Sequence, residues 1–164
     1  MRKPIMILGT LVITAVIIIS GPAIAGTWHY GVSIVDYYNC SNPNDVLGAP
    51  DGEHCTLGTT ALELGWIIVN LSYGHEMGSN QEFWVFADSA CTEYYYVVIS
   101  TDISFETSHE YLPVSDDTDH YFFTPNEPTA GWLYIMLVGY TGVPEGADPH
   151  YGPEVDAVGW YEDE

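Results

Sequence analysis

The sequence is nearly devoid of basic side chains, and this absence limits the partners that the protein can bind. Arg2 and Lys3 are its only basic residues of fixed charge, against 23 aspartates and glutamates. Removal of residues 1–25 would take away both of them and no acid, so the formal charge would change from −21 to −23. Phosphate backbones and anionic lipid surfaces are bound by clustered lysine and arginine. The composition therefore predicts no binding to nucleic acid or to an anionic membrane surface.

Helix signals are scarce as well, because no segment after residue 25 repeats apolar residues at helical spacing. Ten prolines and sixteen glycines interrupt the chain. Apolar and aromatic runs bounded by turn residues predict strands at 29–37, 61–73, 82–88, 93–100, 119–124, 132–140 and 154–161. So many short strands in about 140 residues predict an all-β fold, an antiparallel β-sandwich or jelly roll, in one domain over residues 26–164.

The first 25 residues have the pattern of a secretory signal peptide. Arg2 and Lys3 precede an apolar run over 4–19, and "GPAIA" offers a cleavage site after Ala25. The pattern predicts a protein that is secreted or displayed at the cell surface. The alternative is an uncleaved N-terminal anchor, although the run is short for a membrane span.

An exported chain with three cysteines is expected to form one disulfide. Cys40 and Cys55 bracket a turn-rich loop, so they form the favoured pair and Cys91 is left over. Pairings that involve Cys91, or no disulfide, remain alternatives. The tripeptides "NCS" at Asn39 and "NLS" at Asn70 are candidate N-glycosylation sites.

Two acidic segments are candidates for a cation site. The loop over 45–58 contains Asp45 and Asp51 among glycines and a proline, and irregular loops of this kind supply carboxylates and carbonyls to Ca²⁺. In the strand "EVDAVGW", Glu154 and Asp156 lie on one face with apolar residues. If that face is buried, the acids need a metal ion, a histidine, backbone N–H groups or protonation. Ca²⁺ is preferred to Zn²⁺ because the candidate ligands are all oxygens.

The order of several motifs resembles a family of secreted surface domains with a galactose-binding-like jelly roll. The motifs are "LGAPDG" (47–52), "ALELGW" (61–66), "EFWVFAD" (82–88), "YYVVISTDISF" (95–105), "GWLYIMLVGY" (131–140) and "EVDAV" (154–158). In that family an LGxPDG loop comes early and a DxDAV strand closes the domain. The chain departs from the pattern at Ala87, Ile103 and Glu154.

The resemblance implies a non-catalytic binding or adhesion module. It also implies a structural Ca²⁺ where the first and last strands meet, with Asp51 and Asp156 as the matched acids. A carbohydrate is the ligand class that the resemblance favours. The alternatives are a self-associating envelope or filament subunit and a small glycan-active hydrolase.

Aromatic residues are the other candidate surface. Thirteen tyrosines and five tryptophans exceed the needs of a small core, and flat rings beside carboxylates suit a carbohydrate. The rings considered for exposure are Trp28, Tyr30, Trp66, Trp84 and Trp160. The sequence has no GxSxG motif and no phosphate-binding glycine loop followed by a helix, so no enzymatic activity is predicted.

Overall fold

A computed structural model of the chain describes residues 26–58, 64–71, 76–87, 93–126, 131–140 and 152–163. The predicted signal peptide, Cys91, Ala61, Tyr73 and the predicted cleavage site lie outside these residues. No helix among the described residues is long and apolar enough to span a membrane.

Within these residues the chain is almost entirely β, as predicted. A single 3₁₀ turn, Pro43–Val46, accompanies thirteen strands. The strands are β1 Gly26–Tyr30, β2 Ser33–Tyr38, β3 Cys40–Ser41, β4 Cys55–Leu57, β5 Trp66–Asn70, β6 Glu82–Phe86, β7 Tyr94–Ser100, β8 Ser108–Glu110, β9 Val114–Ser115, β10 His120–Phe123, β11 Tyr134–Tyr140, β12 Glu154–Val155 and β13 Ala157–Asp163.

The strands form two main antiparallel sheets with a core between them. One sheet has the order β1-β13-β6-β10, and the other has the order β2-β5-β11-β7-β8, with β9 also paired to β7. A small third sheet has the order β12-β4-β3. The core joins Phe83, Val85 and Val158 of the four-stranded sheet to Val97 and Leu137 of the other. The predicted β-sandwich is therefore confirmed.

The strand predicted at 29–37 is in fact two strands that belong to opposite sheets. The N–H of Gly31 donates to the carbonyl of Val158, whereas the N–H of Val32 donates to the carbonyl of Asn70. The chain therefore changes sheets between two adjacent residues. Periodicity along the sequence did not reveal this switch, because both halves carry strand-forming residues.

Candidate functional site

The outer side of the four-stranded sheet carries a continuous layer of aromatic rings. Along β6, Phe83 and Val85 point into the core, so Trp84 and Phe86 point outward, where they are half-buried. The same alternation directs aromatic side chains of β1, β13 and β10 to the outer side of the sheet. We call the resulting set the aromatic face: Trp28, Tyr30, Trp84, Phe86, Tyr121, Phe123 and Tyr161.

Ring contacts join the members of the aromatic face into one surface. The ring of Trp28 stacks on Tyr30, with centroids 5.7 Å apart and planes 11° apart, and it lies 5.6 Å from Phe86 and 5.5 Å from Tyr161. Trp84 continues the layer, because its ring centroid lies 5.4 Å from that of Tyr121. Trp28, Tyr121 and Phe123 are 37%, 59% and 48% exposed. Contiguous exposed apolar surface of this kind marks an interaction site more often than chance.

Gly159 allows the rings to lie close to the sheet. It pairs with Tyr30 on one side and with Trp84 on the other. A Cβ atom at this position would lie 2.7 Å from Cδ1 of Tyr30, which is too close for a real contact. The glycine therefore leaves room for the Tyr30 ring over β13.

A polar cleft opens at one end of the aromatic face. It has a volume of about 330 Å³ and is lined by Asn80, Gln81, Glu82, Phe123 and Tyr161. Gln81 is held in place by its Nε2, which donates to the carbonyl of Tyr161 at 2.6 Å. The indole Nε1 of Trp84 donates to Oε1 of Glu82 at 2.6 Å. Hydrogen-bonding groups thus adjoin ring faces, which is the combination that a carbohydrate site uses.

The aromatic candidates from the sequence divide among three places. Trp28, Tyr30 and Trp84 belong to the aromatic face. Trp160 is buried in the core, where its ring stacks on that of His29, and Trp66 is half-buried in the six-stranded sheet. Sequence reasoning missed Phe86, Tyr121, Phe123 and Tyr161, although the alternation within "EFWVFAD" would have placed Phe86 beside Trp84.

The acidic loop over 45–58 and the closing segment that contains Asp156, which the family resemblance links, are in contact. Asp156 is 8% exposed and interrupts the predicted strand, because it lies between β12 and β13. Its Oδ1 accepts the N–H of Asp51 at 3.1 Å, and its Oδ2 accepts the N–H of Gly52 at 3.1 Å. A buried acid was expected to need a metal ion, a histidine, backbone N–H groups or protonation. In the described residues, backbone N–H groups are bonded to Asp156.

The loop itself follows the turn chemistry expected from its sequence. Oδ1 of Asp51 accepts the N–H of Glu53 at 3.0 Å, and Gly52 has a φ of 85°. The side chain of Asp51 is exposed, whereas Asp45 and Glu154 are half-buried. Among the described residues, no group of three or more His, Cys, Asp or Glu side chains is arranged to hold a metal ion. A calcium ion at this loop would therefore also need backbone carbonyls and water as ligands.

Asp116 shows that backbone donors are a general solution for buried acids in this chain. Its carboxylate is fully buried and accepts the N–H of Glu93 at 2.7 Å and the N–H of Glu154 at 3.0 Å. The exposed Asp119 also accepts a backbone N–H, from Ala87 at 2.9 Å. Since the chain has no lysine or arginine after residue 3, peptide N–H dipoles provide much of the stabilisation that basic side chains give elsewhere.

Asp102 organises a turn that sequence reasoning left without a role. Its carboxylate accepts hydrogen bonds from the hydroxyl and N–H of Ser104 and from the N–H groups of Glu106 and Thr107. The Ser104 hydroxyl first, and the backbone donors with it, lower the pKa of Asp102. The residue therefore holds the loop between β7 and β8, which is a structural role.

Cys40 and Cys55 lie side by side on the small third sheet. β3 pairs with β4 such that Cys40 is opposite Leu57, and both sulfurs are thiols in this structure. The sulfur of Cys40 hydrogen-bonds to the carbonyl of Trp66 at 3.1 Å. A hydrogen bond to Cys40, together with burial, raises the pKa of the Cys55 thiol. The disulfide between them stays a prediction.

The two candidate glycosylation sites have different surroundings. Asn70 is 4% exposed and lies within β5, so an attached glycan has no room unless the sheet opens. Asn39 is half-buried in a turn with a φ of 49°. The structure thus disfavours modification of Asn70.

Comparison with known proteins gives structural neighbours only. No family model matches the sequence, and no curated protein matches it. One similar solved structure is a mutant of CBM29-2, a family 29 carbohydrate-binding module. It has a TM-score of 0.43 and 10% identity, and the match covers 85% of this chain and 84% of that one.

A second similar structure is the enzymatically active domain of tailspike protein 4 from bacteriophage CBA120. Its TM-score is 0.40 and its identity is 13%. The match covers 85% of this chain but 19% of the tailspike chain.

Proposed function

We propose that this protein is an exported, non-catalytic carbohydrate-binding module that binds its ligand on the aromatic face. The observation that supports the proposal is the layer of seven contiguous rings, flanked by a polar cleft, on the outer side of one sheet. Flat aromatic surfaces pack against the apolar faces of sugar rings, while neighbouring polar groups bond the hydroxyls. The galactose-binding-like family remains part of this proposal, as does export.

The single acid of the cleft supports a binding role over hydrolysis. Glycoside hydrolysis generally needs two carboxyl groups on either side of the scissile bond. Among the described residues that line the cleft and form the aromatic face, Glu82 is the one carboxylate. The hydrolase alternative therefore has less support than the binding module.

Substitution of Trp84 by alanine tests the binding surface. Trp84 contacts Trp28, Phe86 and Tyr121, so its loss should open a gap at the centre of the face. We expect affinity for bound polysaccharides to fall at least about tenfold, as for a central aromatic anchor. Affinity electrophoresis against a panel of neutral and amine-bearing polysaccharides would measure this.

Trp66→Ala is the matched control, because it removes an equally half-buried indole from the other sheet. The control should bind as the wild type does, and near-UV circular dichroism would confirm that both variants fold. Equal binding by the Trp84 variant and the wild type would refute the aromatic face as the site.

Calcium is a separate part of the proposal, with Asp51, Asp156, Asp45 and Glu154 as the candidate ligands. A carboxylate has about four acceptor sites, so the two N–H bonds of Asp156 leave acceptor capacity on its oxygens. An ion bound only by the native state should raise the melting temperature until the site saturates. Thermal unfolding in chelator, followed by titration with CaCl₂ and with NaCl at matched ionic strength, would test this. An equal rise with NaCl would mean charge screening alone.

Self-association through apolar sheet surfaces is the second candidate function. The six-stranded sheet carries half-buried apolar side chains outside the core at Ile68, Tyr96, Met136 and Val138. The formal net charge of −21 would oppose assembly until counterions neutralise it. Light scattering during the calcium titration separates the two functions, since a binding module stays monomeric.

A further inference from the structure

The cleft beside the aromatic face combines ring faces with one fixed carboxylate. Phe123 pairs with Glu82 across β10 and β6, and Tyr161 follows Trp160, which pairs with Phe83 on the other side of β6. Glu82 is therefore flanked by an aromatic residue on each neighbouring strand. All three residues line the cleft.

The orientation of Glu82 is set by its own strand. The indole Nε1 of Trp84, two residues along β6, donates to Oε1 at 2.6 Å. This bond uses one of about four acceptor sites on the carboxylate. It also presents the carboxylate at the edge of the aromatic face, in a half-buried position where a charge is screened less than in open solvent.

Carboxylate and rings together form a site suited to an ammonium group. Aromatic faces attract cations through their quadrupoles, and a carboxylate accepts charge-assisted hydrogen bonds from N⁺–H donors. No lysine or arginine follows residue 3, so no such side chain of the domain neutralises Glu82. The strongly negative domain also attracts cationic ligands and repels anionic glycans over long distances.

We infer that the cleft binds the protonated amino group of an amino sugar, and that the ligand class is a polysaccharide with free amines. This inference rests on the proposed carbohydrate-binding function, which it makes more specific. A neutral sugar could also donate hydroxyls to Glu82, but it would lack the cationic interaction with the rings. The two types of ligand therefore differ in the charge of one substituent, the amino group or the hydroxyl that contacts Glu82.

Isothermal titration with two hexasaccharides tests the inference on the exported protein at pH 6 and low salt. One is β-1,4-linked glucosamine, and the other is its N-acetylated form, in which each amine is an uncharged amide. We expect the wild type to bind the amine form about tenfold more tightly, as an energetically useful charge-assisted contact would give. In Glu82→Gln, whose amide oxygen can still accept from Trp84, the ratio of the two affinities should fall several-fold, to the residual preference that the net negative charge of the domain gives.

Glu110→Gln is the control for a general loss of negative charge, because Glu110 is exposed on β8 in the other sheet. It should keep the wild-type ratio. Equal affinities in the wild type, or a ratio in Glu82→Gln that equals the wild-type ratio, would overturn the inference. If neither hexasaccharide binds but a neutral polysaccharide does, the inference fails and the proposed function stands. If no glycan of any charge binds, both fail.

Discussion

Replacement of Asp156 by alanine should destabilise the protein by about 3 kcal/mol, because two hydrogen bonds to a charged acceptor are lost at once. The N–H groups of Asp51 and Gly52 would lose their acceptor, and the loop over 47–52 would lose its attachment to the closing strand. For a domain of this size the melting temperature should fall by about 10 °C. Differential scanning calorimetry of the wild type and the variant would measure the change.

Two further variants show whether the carboxylate acts through backbone donors. Asp156→Asn keeps one carbonyl oxygen, so it should lose about half as much stability. Asp51→Ala removes an exposed side chain but keeps its N–H, and should cost less than about 1 kcal/mol. All three variants should be measured in the presence of a chelator, so that no calcium is bound. If the Asp156→Ala effect disappeared there, the carboxylate would act mainly as a calcium ligand instead.

Oxidation of Cys40 and Cys55 to a disulfide should stabilise the domain by about 3 kcal/mol in the chain-entropy model for a 15-residue loop. The two side chains already lie within hydrogen-bond contact across β3 and β4. The Cys91→Ser protein is the suitable background, since it removes competing pairings. We expect no free thiol in the oxidised protein and a fall of about 10 °C in melting temperature when a reductant is added.

The control for this experiment is the Cys40→Ser, Cys91→Ser protein, which cannot form the bridge and should melt at the same temperature with and without reductant. Two titratable thiols in the unfolded, unreduced Cys91→Ser protein would contradict the predicted pairing. The difference between the two proteins isolates the bridge from other effects of the reductant.

The sequence predicted the long strands well because their apolar character follows directly from burial. The strands at 82–88, 93–100 and 132–140 occur close to the predicted bounds. Short strands such as Cys40–Ser41 and Val114–Ser115 were missed, since two residues carry no alternation to detect. Their positions depend on partners far along the chain.

The candidate site was predictable only in part, for a similar reason. The resemblance implied that Asp51 and Asp156 lie close together, and hydrogen bonds join the loop to Asp156, but their N–H donors lie 105 and 104 residues away in the sequence. The aromatic face depends on strand order. Residues on β1, β6, β10 and β13 become neighbours through the order β1-β13-β6-β10, and no local pattern specifies which rings will touch.

The pairing of the first described strand with the last determines when the aromatic face can form. Gly26 lies opposite Asp163, so β1 can pair with β13 only after residue 163 has been synthesised. Contacts this distant in sequence form late, because loop closure must precede them. Trp28 and Tyr30 therefore join the sheet only after β13 has been synthesised. A product without β13 would lack the strand that joins β1 to β6, so Trp28 and Tyr30 would not lie beside Trp84 and Phe86.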